Sequence, residues 1–380
     1  MTQEKYQICS NCIMDTSDPR IIFDDRGVCD YCNNFYSNIR PHWHTDETGE
    51  KELMTIAAKI KKKGKGKDFD CIIGLSGGTD SSYTAYIVKE MMGLRPLLLH
   101  VDAGWNTNKA VGNIEKIVNG LDLELYTEVI NWEEMKNLQL ATLRSQIADQ
   151  DLAQDTAFFS TMYKFAQKYK VKYVLTGANY STECCREPEE WGAYPGIDKT
   201  LINDIYSKFG SIPLKTFPIV DIMVYKLYYK YILGMEVVKP LNFVPYVKKD
   251  AEAKLEELFG WEKFQHKHHE SRFTRFYEDY WLPLKFGYDK RRAHFSSLII
   301  TGQMTRDDAI QRIAKPEMDS YFLKREFEYV ANKLDLTVDE LQKIFDGENK
   351  TYKNYKNKRF LIGIGAKIMH ILSLERRLFR

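Results

Sequence analysis

From residue 70 onward, short apolar runs alternate with amphipathic stretches along the chain. The runs at 70–75, 95–102, 123–129 and 171–177 have the length of buried strands, and an apolar segment after residue 233 allows for a fifth. Helical periodicity fills the intervals at about 80–92, 109–119, 132–148 and 156–169. Because strands that alternate with helices pair in parallel through right-handed crossovers, this pattern predicts an open parallel α/β sheet.

The two ends of the chain follow other patterns. The first 50 residues are rich in Cys, Asp and Asn with little periodicity, and strand signals fade after about Trp261. Helix starts are indicated at Thr305 and by Thr337 with Glu340, which form a capping box. The charged, glycine-broken stretch from Lys59 to Lys67 is interpreted as a solvated connector. We expect three units: an N-terminal segment at 1–50, an α/β domain at 51–260 and a helical C-terminal domain at 261–380.

Composition indicates a sizeable core and argues against two classes of partner. Of the 380 residues, 44% are hydrophobic and 13% are aromatic. The formal net charge is only +2, whereas dedicated nucleic-acid binders carry a basic excess, so we expect no nucleic-acid partner. No apolar run approaches the ~18 residues of a membrane-spanning helix, and the N-terminus has no apolar signal-peptide core. We therefore expect a cytoplasmic protein without a membrane span.

Four of the seven cysteines form two CxxC pairs, Cys9 with Cys12 and Cys29 with Cys32. Each pair turns two thiolates toward one point, and two pairs complete a tetrahedral site of soft ligands that prefers zinc. Because sulfur fills all four positions, no position remains for a catalytic water. We expect a structural Zn²⁺ that holds together a segment too small to fold alone, with an iron–sulfur cluster as the alternative.

Residues 76–82, SGGTDSS, join the first predicted strand directly to the first predicted helix. Two glycines let the backbone approach a ligand closely, and the free N–H groups at a helix start favour an anion. The hydroxyls of Ser76, Ser81 and Ser82 add donors, and Asp80 suits a ligand of a bridging Mg²⁺. An ordinary glycine-rich turn with an N-cap is the alternative.

This loop has neither the GxxxxGK(S/T) pattern of a P-loop nor the GxGxxG pattern of a dinucleotide site. It resembles the SGGxDS signature of the PP-loop ATP pyrophosphatases, which include asparagine, GMP and NAD synthetases and tRNA thiolation enzymes. The resemblance implies a sheet of the adenine-nucleotide α-hydrolase type and an enzyme that adenylylates a carbonyl, with Ser76 and Asp80 in catalytic roles. The loop residues implied to bind the pyrophosphate end of ATP are Ser76, Gly77, Gly78, Thr79, Asp80, Ser81 and Ser82.

Two further segments fit the resemblance. His100 and Asp102 end the second strand, where the superfamily holds adenosine, although Asp102 alone is as well explained as a helix N-cap. Thr176, Gly177 and Asn179 end or follow the fourth strand at the same carboxyl edge, where open α/β sheets bind ligands.

A late segment makes the resemblance more specific. Residues 264–276 (FQHKHHESRFTRF) and 280–296 (YWLPLKFGYDKRRAHFS), with the zinc pairs and the loop, resemble the N-acetyl sugar amidotransferases of bacterial surface-glycan biosynthesis. The resemblance implies that the acetamido oxygen of a nucleotide-activated N-acetyl sugar is adenylylated and then replaced by ammonia. An acetamidino sugar, AMP and pyrophosphate result, in lipopolysaccharide or flagellar glycan biosynthesis.

That chemistry needs cations around the departing pyrophosphate and a base for the incoming ammonium. Glu270 is the candidate base, with a plain ion-pair role as the alternative. The candidate cations, each of which has a structural salt bridge as its alternative, are Arg275, Arg291, Arg292 and Lys248 or Lys249. The weaker candidates for metal ligands are His268, His269 and His294.

The ammonia source is indicated by what the cysteines lack. None has the flanks of a glutaminase nucleophile, and residue 2 is Thr2, not a cysteine exposed by processing. The resemblance therefore implies a separate HisH-like glutaminase and a HisF-like subunit. The basic, amphipathic tail at 351–380 is either a docking helix for such a partner or an ordinary surface helix.

Two other functions remain as alternatives. A tRNA-modifying PP-loop thiolase would use Cys184 and Cys185 to relay sulfur, but the balanced charge argues against a tRNA substrate. A non-catalytic nucleotide-binding module is the second, and the intact Asp80 argues against it.

Overall fold

Five parallel strands form one open sheet in the computed structural model, which describes residues 6–372. The strands are β1 (Cys71–Gly74), β2 (Pro96–Asp102), β3 (Leu125–Val129), β4 (Tyr173–Leu175) and β5 (Glu236–Val238). Their spatial order is β3-β2-β1-β4-β5, and every pairing is parallel. Ile72 of β1 pairs with Leu97 on one side and with Val174 on the other. The strand order reverses at β1, so a crevice opens beyond its carboxyl end. The predicted sheet is confirmed.

Helices cover the sheet and make up the C-terminal region. The α-helices are Asp30–Asn34, Glu47–Gly64, Thr79–Tyr86, Asn108–Leu121, Trp132–Arg144, Leu152–Lys168, Tyr180–Glu183, Lys199–Phe209, Lys248–Phe259, Arg272–Phe276, Arg291–Ile300, Arg306–Ile313, Ser320–Lys333, Val338–Phe345 and Arg359–Ile371. The π-helical segments are Phe35–Ile39, Ile87–Met91, Val224–Ile232 and Tyr277–Phe286, and the 3-10 turns are Arg40–His42, Glu189–Trp191, Pro240–Asn242 and Tyr352–Asn354. Within residues 6–372, no helix has the length and apolar character that crossing a membrane requires.

Local sequence signals account for most helix starts. Thr337 and Glu340 form the predicted capping box, and Thr305 caps the helix that follows it. The predicted connector at 59–67 is wrong in its first part, because the helix Glu47–Gly64 continues through it. Asp46 caps that helix by accepting from the N–H groups of Thr48 and Gly49, and a buried face that includes Ile60 anchors it.

The two faces of the sheet pack into different apolar clusters. Ile72 and Leu99 point to the side that also contains Phe273, Trp281 and Phe327 of the C-terminal region. Ile73 and Leu98, next to them in sequence, point to the opposite side with Trp261, as strand alternation requires. The C-terminal helices therefore share one core with the sheet.

Candidate active site

The glycine loop turns sharply between β1 and the helix Thr79–Tyr86. Gly77 adopts a φ of +83°, a left-handed conformation that glycine tolerates best, and a Cβ there would lie 2.4 Å from the Ala110 carbonyl oxygen. The Gly77 carbonyl accepts hydrogen bonds from Nε1 of Trp261 at 3.0 Å and Nδ2 of Asn113 at 3.2 Å. These contacts fix the loop backbone against the neighbouring helix.

The hydroxyls of Ser76 and Ser81 form hydrogen bonds within the loop itself. The Ser76 N–H donates to Oγ of Ser81 at 3.2 Å, and the Gly78 N–H donates to Oγ of Ser76 at 3.3 Å. Ser76, Ser81 and Thr79 all border the pocket over the loop. Ser82 is fully buried, and its Oγ has no hydrogen-bond partner in the described chain. Its side chain does not reach the pocket in this conformation, so its contact with ATP stays a prediction.

Asp80 lies at the start of the helix, between the ends of β1 and β4. The Tyr246 hydroxyl donates a short hydrogen bond to its Oδ1, and Nδ2 of Asn179 lies 3.5 Å from the same oxygen. Burial raises the pKa of Asp80, while the nearby Lys267 ammonium opposes that shift. Mg²⁺ prefers carboxylate oxygens, and Asp80 and Glu270, which border the same pocket, supply them, so the residues present fit this ion.

The segment after β4 contacts the loop from the other side. Gly177 packs so closely on Asp80 that a Cβ would lie 2.7 Å from the Asp80 carbonyl carbon. Asn179 is buried, donates to the Gly177 carbonyl at 2.9 Å and accepts from the Thr182 N–H at 2.8 Å. Thr176 borders the same pocket as the loop. The structure thus brings Thr176, Gly177 and Asn179 together with Asp80.

The two predicted residues at the end of β2, His100 and Asp102, have different roles. His100 is buried, with Nδ1 at 3.0 Å from the Leu75 carbonyl and Nε2 at 3.0 Å from Nδ2 of Asn106. Burial lowers the pKa of His100, so the ring is neutral and borders the pocket beyond β2. Asp102 accepts from the Gly104 N–H at 2.8 Å and from Asn106 at 3.0 Å. Asp102 organises the turn; its predicted contact with ATP stays a prediction.

Glu270 lies directly over the glycine loop. A Cβ built on Gly78 would come within 1.7 Å of Oε1 of Glu270, so the carboxylate occupies the space that a side chain would need. Burial raises the pKa of Glu270 to about 7; Lys248 and Lys267 lower it and Asp80 raises it. A carboxyl group that titrates near neutrality suits general acid–base chemistry.

Three adjoining pockets meet above these residues. The loop pocket, about 490 Å³, is bordered by Ser76, Thr79, Asp80 and Glu270. The strand-end pocket, about 450 Å³, is bordered by Leu75, His100, Val101 and Asn106. The lysine pocket, about 720 Å³, is bordered by Lys248, Lys249, Lys263, Lys267, Lys290 and Arg312. His268 borders all three pockets.

The arginines predicted for the phosphate clamp have structural partners. Arg275 pairs with Glu326, with Nη2 at 2.7 Å from the carboxylate. Arg291 pairs with Asp289 through Nη2 at 2.6 Å, and Arg292 pairs with Asp15 through Nη1 at 2.9 Å. Arg291 also donates to the Lys315 carbonyl at 2.8 Å, and Arg292 to the Ile13 carbonyl at 3.1 Å. This placement does not direct the three guanidinium groups at the loop.

Lysines border the three pockets instead. Lys248, a predicted residue, borders both the loop pocket and the lysine pocket. Lys267, which sequence reasoning missed, donates to Glu183 at 2.7 Å; burial lowers its pKa, but Glu183 and Asp80 raise it by more. Lys290, also missed, lies 3.1 Å from Glu187. Both occur in the late segments quoted above, where nothing in the sequence separates them from the neighbouring basic residues.

A group of aspartates at the strand-end pocket was also missed. Asp149, Asp151 and Asp155 border that pocket together with Lys290. Desolvation at the pocket wall raises the pKa of Asp149 to about 8 and that of Asp155 to about 6. The run DQDLAQD at 149–155 was the signal, because it places three acids at one helix start.

The three candidate histidines do not form a metal cluster. Nε2 of His269 lies 2.9 Å from Asp279. Desolvation within the pockets and the nearby Lys267 ammonium lower the pKa of His268 to about 3 and lower that of His294 as well. In residues 6–372, the group of metal-type ligands close enough to hold one ion is Cys9, Cys12, Cys29 and Cys32.

The geometry of those four cysteines fits a zinc ion. The Sγ atoms are 3.9 Å apart between Cys9 and Cys32, 3.6 Å between Cys12 and Cys29, and 3.7 Å between Cys29 and Cys32. A tetrahedral ion with Zn–S bonds of about 2.3 Å separates its sulfurs by about 3.8 Å. The N–H groups of Cys12 and Cys29 donate to Sγ of Cys9, which stabilises a thiolate.

This cysteine segment is anchored on the C-terminal region. Arg306 donates to the carbonyls of Cys12 at 3.0 Å and Cys9 at 2.9 Å. The Ile13 N–H donates to Oγ of Ser296, on the helix Arg291–Ile300, at 3.2 Å. The metal segment therefore supports a helix that borders the lysine pocket.

Cys184 and Cys185 are buried in the same cluster as the four ligands. The Cys185 N–H donates to Oγ of Ser297 at 2.9 Å. Hydrogen bonding to Cys184 and burial raise the pKa of Cys185, which disfavours the thiolate that a sulfur relay requires.

Among the comparisons with known proteins, the most specific match lies in the C-terminal region. Residues 270–369 match the family model "LPS biosynthesis protein WbpG-like, C-terminal domain", about a quarter of the chain. The Methanocaldococcus jannaschii protein "Uncharacterized protein MJ1599" is 24% identical over 170 residues, which are 44% of this chain and 58% of that relative. The chain thus spans less than two thirds of the length of that relative.

Several solved structures are weakly similar. An NMN synthetase from Francisella tularensis has 16% identity and a TM-score of 0.34, covering 77% of this chain and 96% of that one. An NH3-dependent NAD synthetase from Campylobacter jejuni has 15% identity and a TM-score of 0.29, covering 42% and 72%. The U34-tRNA thiolase NcsA from Methanococcus maripaludis has 13% identity and a TM-score of 0.32, covering 71% and 81%. The strand order of this chain, described above, defines its fold independently of them.

Proposed function

We propose that this chain is an ATP-dependent amidotransferase of surface-glycan biosynthesis. It converts the acetamido group of a nucleotide-activated N-acetyl sugar into an acetamidino group and releases AMP and pyrophosphate. The observation that carries the proposal is the contact of Glu270 with Gly78. Glu270 is the first residue of the region similar to an LPS biosynthesis protein, and Gly78 belongs to a loop suited to the pyrophosphate end of ATP.

ATP occupies two of the three pockets in this proposal. The loop pocket takes the phosphates against the helix start at Thr79, and the strand-end pocket takes the adenosine beside His100. Lys248 and Lys267 offset the charge that develops on the departing pyrophosphate. Asp80 holds Mg²⁺, which when bound neutralises phosphate charge.

The reaction then has two displacements. The acetamido oxygen bonds to the α-phosphorus while the bond from that phosphorus to the pyrophosphate oxygen breaks. Ammonia adds to the activated carbon, and AMP leaves with the former acetamido oxygen. Glu270 accepts the proton that the nitrogen loses, which its pKa of about 7 allows near neutral pH.

A separate glutaminase, HisH-like and accompanied by a HisF-like subunit, supplies the ammonia in this proposal. The helix Arg359–Ile371 offers a surface for such a protein, because Phe360, Ile364, Ile368 and Ile371 are exposed on it. Residues 373–380 of the predicted docking tail lie outside the described residues.

The test uses an acceptor with oxygen-18 in its acetamido group. Wild-type protein is incubated with ATP, Mg²⁺, ammonium and UDP- or CMP-linked N-acetyl sugars, and the products are analysed by mass spectrometry. We expect a sugar in which NH replaces O, and AMP that carries the heavy oxygen. Unlabelled AMP alongside the amidine, or AMP formed only when tRNA replaces the sugar, would refute the proposal.

A further inference from the structure

The lysine pocket is left without a ligand once ATP is placed in the other two pockets. We propose that it binds the acceptor as a glycosyl diphosphate, and that His268 holds the acyl oxygen of the acceptor toward the α-phosphorus. This inference rests on the proposed function, since it assigns the second substrate of the same site. The volume of the lysine pocket, about 720 Å³, falls in the range of small-molecule sites, roughly 300–1,000 Å³.

His268 stands where the two substrates must meet. His268 borders the loop pocket, the strand-end pocket and the lysine pocket. Its backbone has a φ of +62°, an uncommon conformation for a residue with a side chain, which commonly marks functional positions. His268 is exposed to the pockets, where desolvation and the nearby Lys267 ammonium lower its pKa to about 3, so the neutral ring presents one donor and one acceptor.

The charges of the pocket match a diphosphate. Most of its cations are neutralised by carboxylates: Lys263 by Glu252 at 2.7 Å, Lys267 by Glu183 at 2.7 Å, Lys290 by Glu187 at 3.1 Å and Arg312 by Glu317 at 3.3 Å. Lys248 and Lys249 form no ion pair with any residue of the described chain and begin the helix Lys248–Phe259. Since Lys248 serves the pyrophosphate of ATP in the proposed function, Lys249 is the uncompensated ammonium group that this helix start offers to the negative charge of a diphosphate diester.

Two histidines offer contacts for the sugar hydroxyls. Nε2 of His266 and Nε2 of His294 are buried and lack a hydrogen-bond partner among residues 6–372. Both residues border the lysine pocket. Because a buried polar atom without a partner costs free energy, a hydroxyl group placed there is stabilised.

Binding without turnover tests the pocket. Isothermal titration calorimetry measures the dissociation constants of UDP-N-acetylglucosamine, of free N-acetylglucosamine and, separately, of Mg-ATP. The three proteins compared are the wild type, Lys249→Glu and Lys199→Glu. Lys199 is a matched control, since it is also exposed and also begins a helix. We expect Lys249→Glu to weaken the binding of UDP-N-acetylglucosamine about tenfold and to leave the binding of ATP unchanged. Lys199→Glu should change neither of these two affinities. In the wild type, free N-acetylglucosamine should bind at least about tenfold more weakly than UDP-N-acetylglucosamine.

A His268→Gly variant tests the orienting role. Glycine fits the positive φ and leaves space for added imidazole. We expect kcat to fall about 100-fold while both dissociation constants stay within about twofold, and imidazole to restore part of kcat. Loss of binding without rescue would overturn the role of His268.

The outcomes separate the two proposals. Normal binding of UDP-N-acetylglucosamine to Lys249→Glu, or no binding to wild type at millimolar concentration, overturns the pocket assignment even if AMP acquires oxygen-18. The expected binding pattern with no label in AMP leaves the pocket assignment standing and refutes the proposed reaction.

Discussion

The hydroxyl of Tyr246 donates a hydrogen bond to Oδ1 of Asp80, across 166 positions of the chain. The bond holds the carboxylate at the helix start, next to the glycine loop. We expect Asp80→Asn to lower AMP formation by at least about 100-fold, because the carboxylate that would hold Mg²⁺ beside the departing pyrophosphate is lost. Zinc content, measured by atomic emission, should be unchanged. Loss of zinc together with activity would mean that the metal and the loop are not separate sites.

Tyr246→Phe removes only the donor to Asp80. We expect AMP formation to fall about tenfold, the size expected for one hydrogen bond to a charged group. An unchanged rate would show that the hydrogen bond does not orient Asp80.

The pH dependence of kcat/KM should report Glu270. Its carboxyl must be deprotonated to accept a proton, so activity should fall as the pH drops through about 7 and level off above it. Glu270→Gln should lower kcat/KM about 100-fold and abolish this inflection. If the variant keeps the inflection, another group, such as Asp155 with a pKa of about 6, is responsible.

Gly177→Ala and Gly112→Ala form a matched pair. A Cβ at Gly177 would lie 2.7 Å from the backbone of Asp80, whereas at Gly112, inside a helix, it meets nothing within 4 Å. We expect Gly177→Ala to destabilise the fold by about 1–3 kcal/mol and weaken ATP binding. Gly112→Ala should stabilise the fold by up to about 1 kcal/mol and leave ATP binding unchanged. Denaturant unfolding and titration with ATP measure the two effects.

The different roles assigned to Lys248 and Arg292 can also be tested by substitution. We expect Lys248→Ala to reduce kcat for AMP formation by about tenfold or more, because Lys248 borders the loop pocket. Arg292→Ala should leave kcat per folded molecule unchanged and lower the melting temperature, since it breaks the pair with Asp15 and the bond to Ile13. The opposite result would restore Arg292 to the phosphate clamp.

The sequence predicted the parts of the fold that depend on local patterns. Apolar runs located β1 to β4, and Thr337 with Glu340 marked a helix start correctly. The two CxxC pairs predicted the cluster of cysteines, because ligand spacing is itself a local property.

The remainder depends on which side chains meet after folding. Arg291 and Arg292 looked as suitable as Lys248 because nothing local shows that Asp289 and Asp15 neutralise them. Lys267 gains its importance only from the position of Glu183, 84 residues away. The predicted roles of the loop residues in binding ATP stay predictions.

The apolar cluster that Phe273 and Trp281 share with Ile72 and Leu99 restricts how this chain can be recombined with its relatives. A chimera that joins the sheet of one relative to the C-terminal helices of another at residue 260 would cut through a single interior. Exchanging the helices would then also alter the stability of β1, the strand that leads into the glycine loop. Compensating changes on both sides of the junction would have to be inherited together.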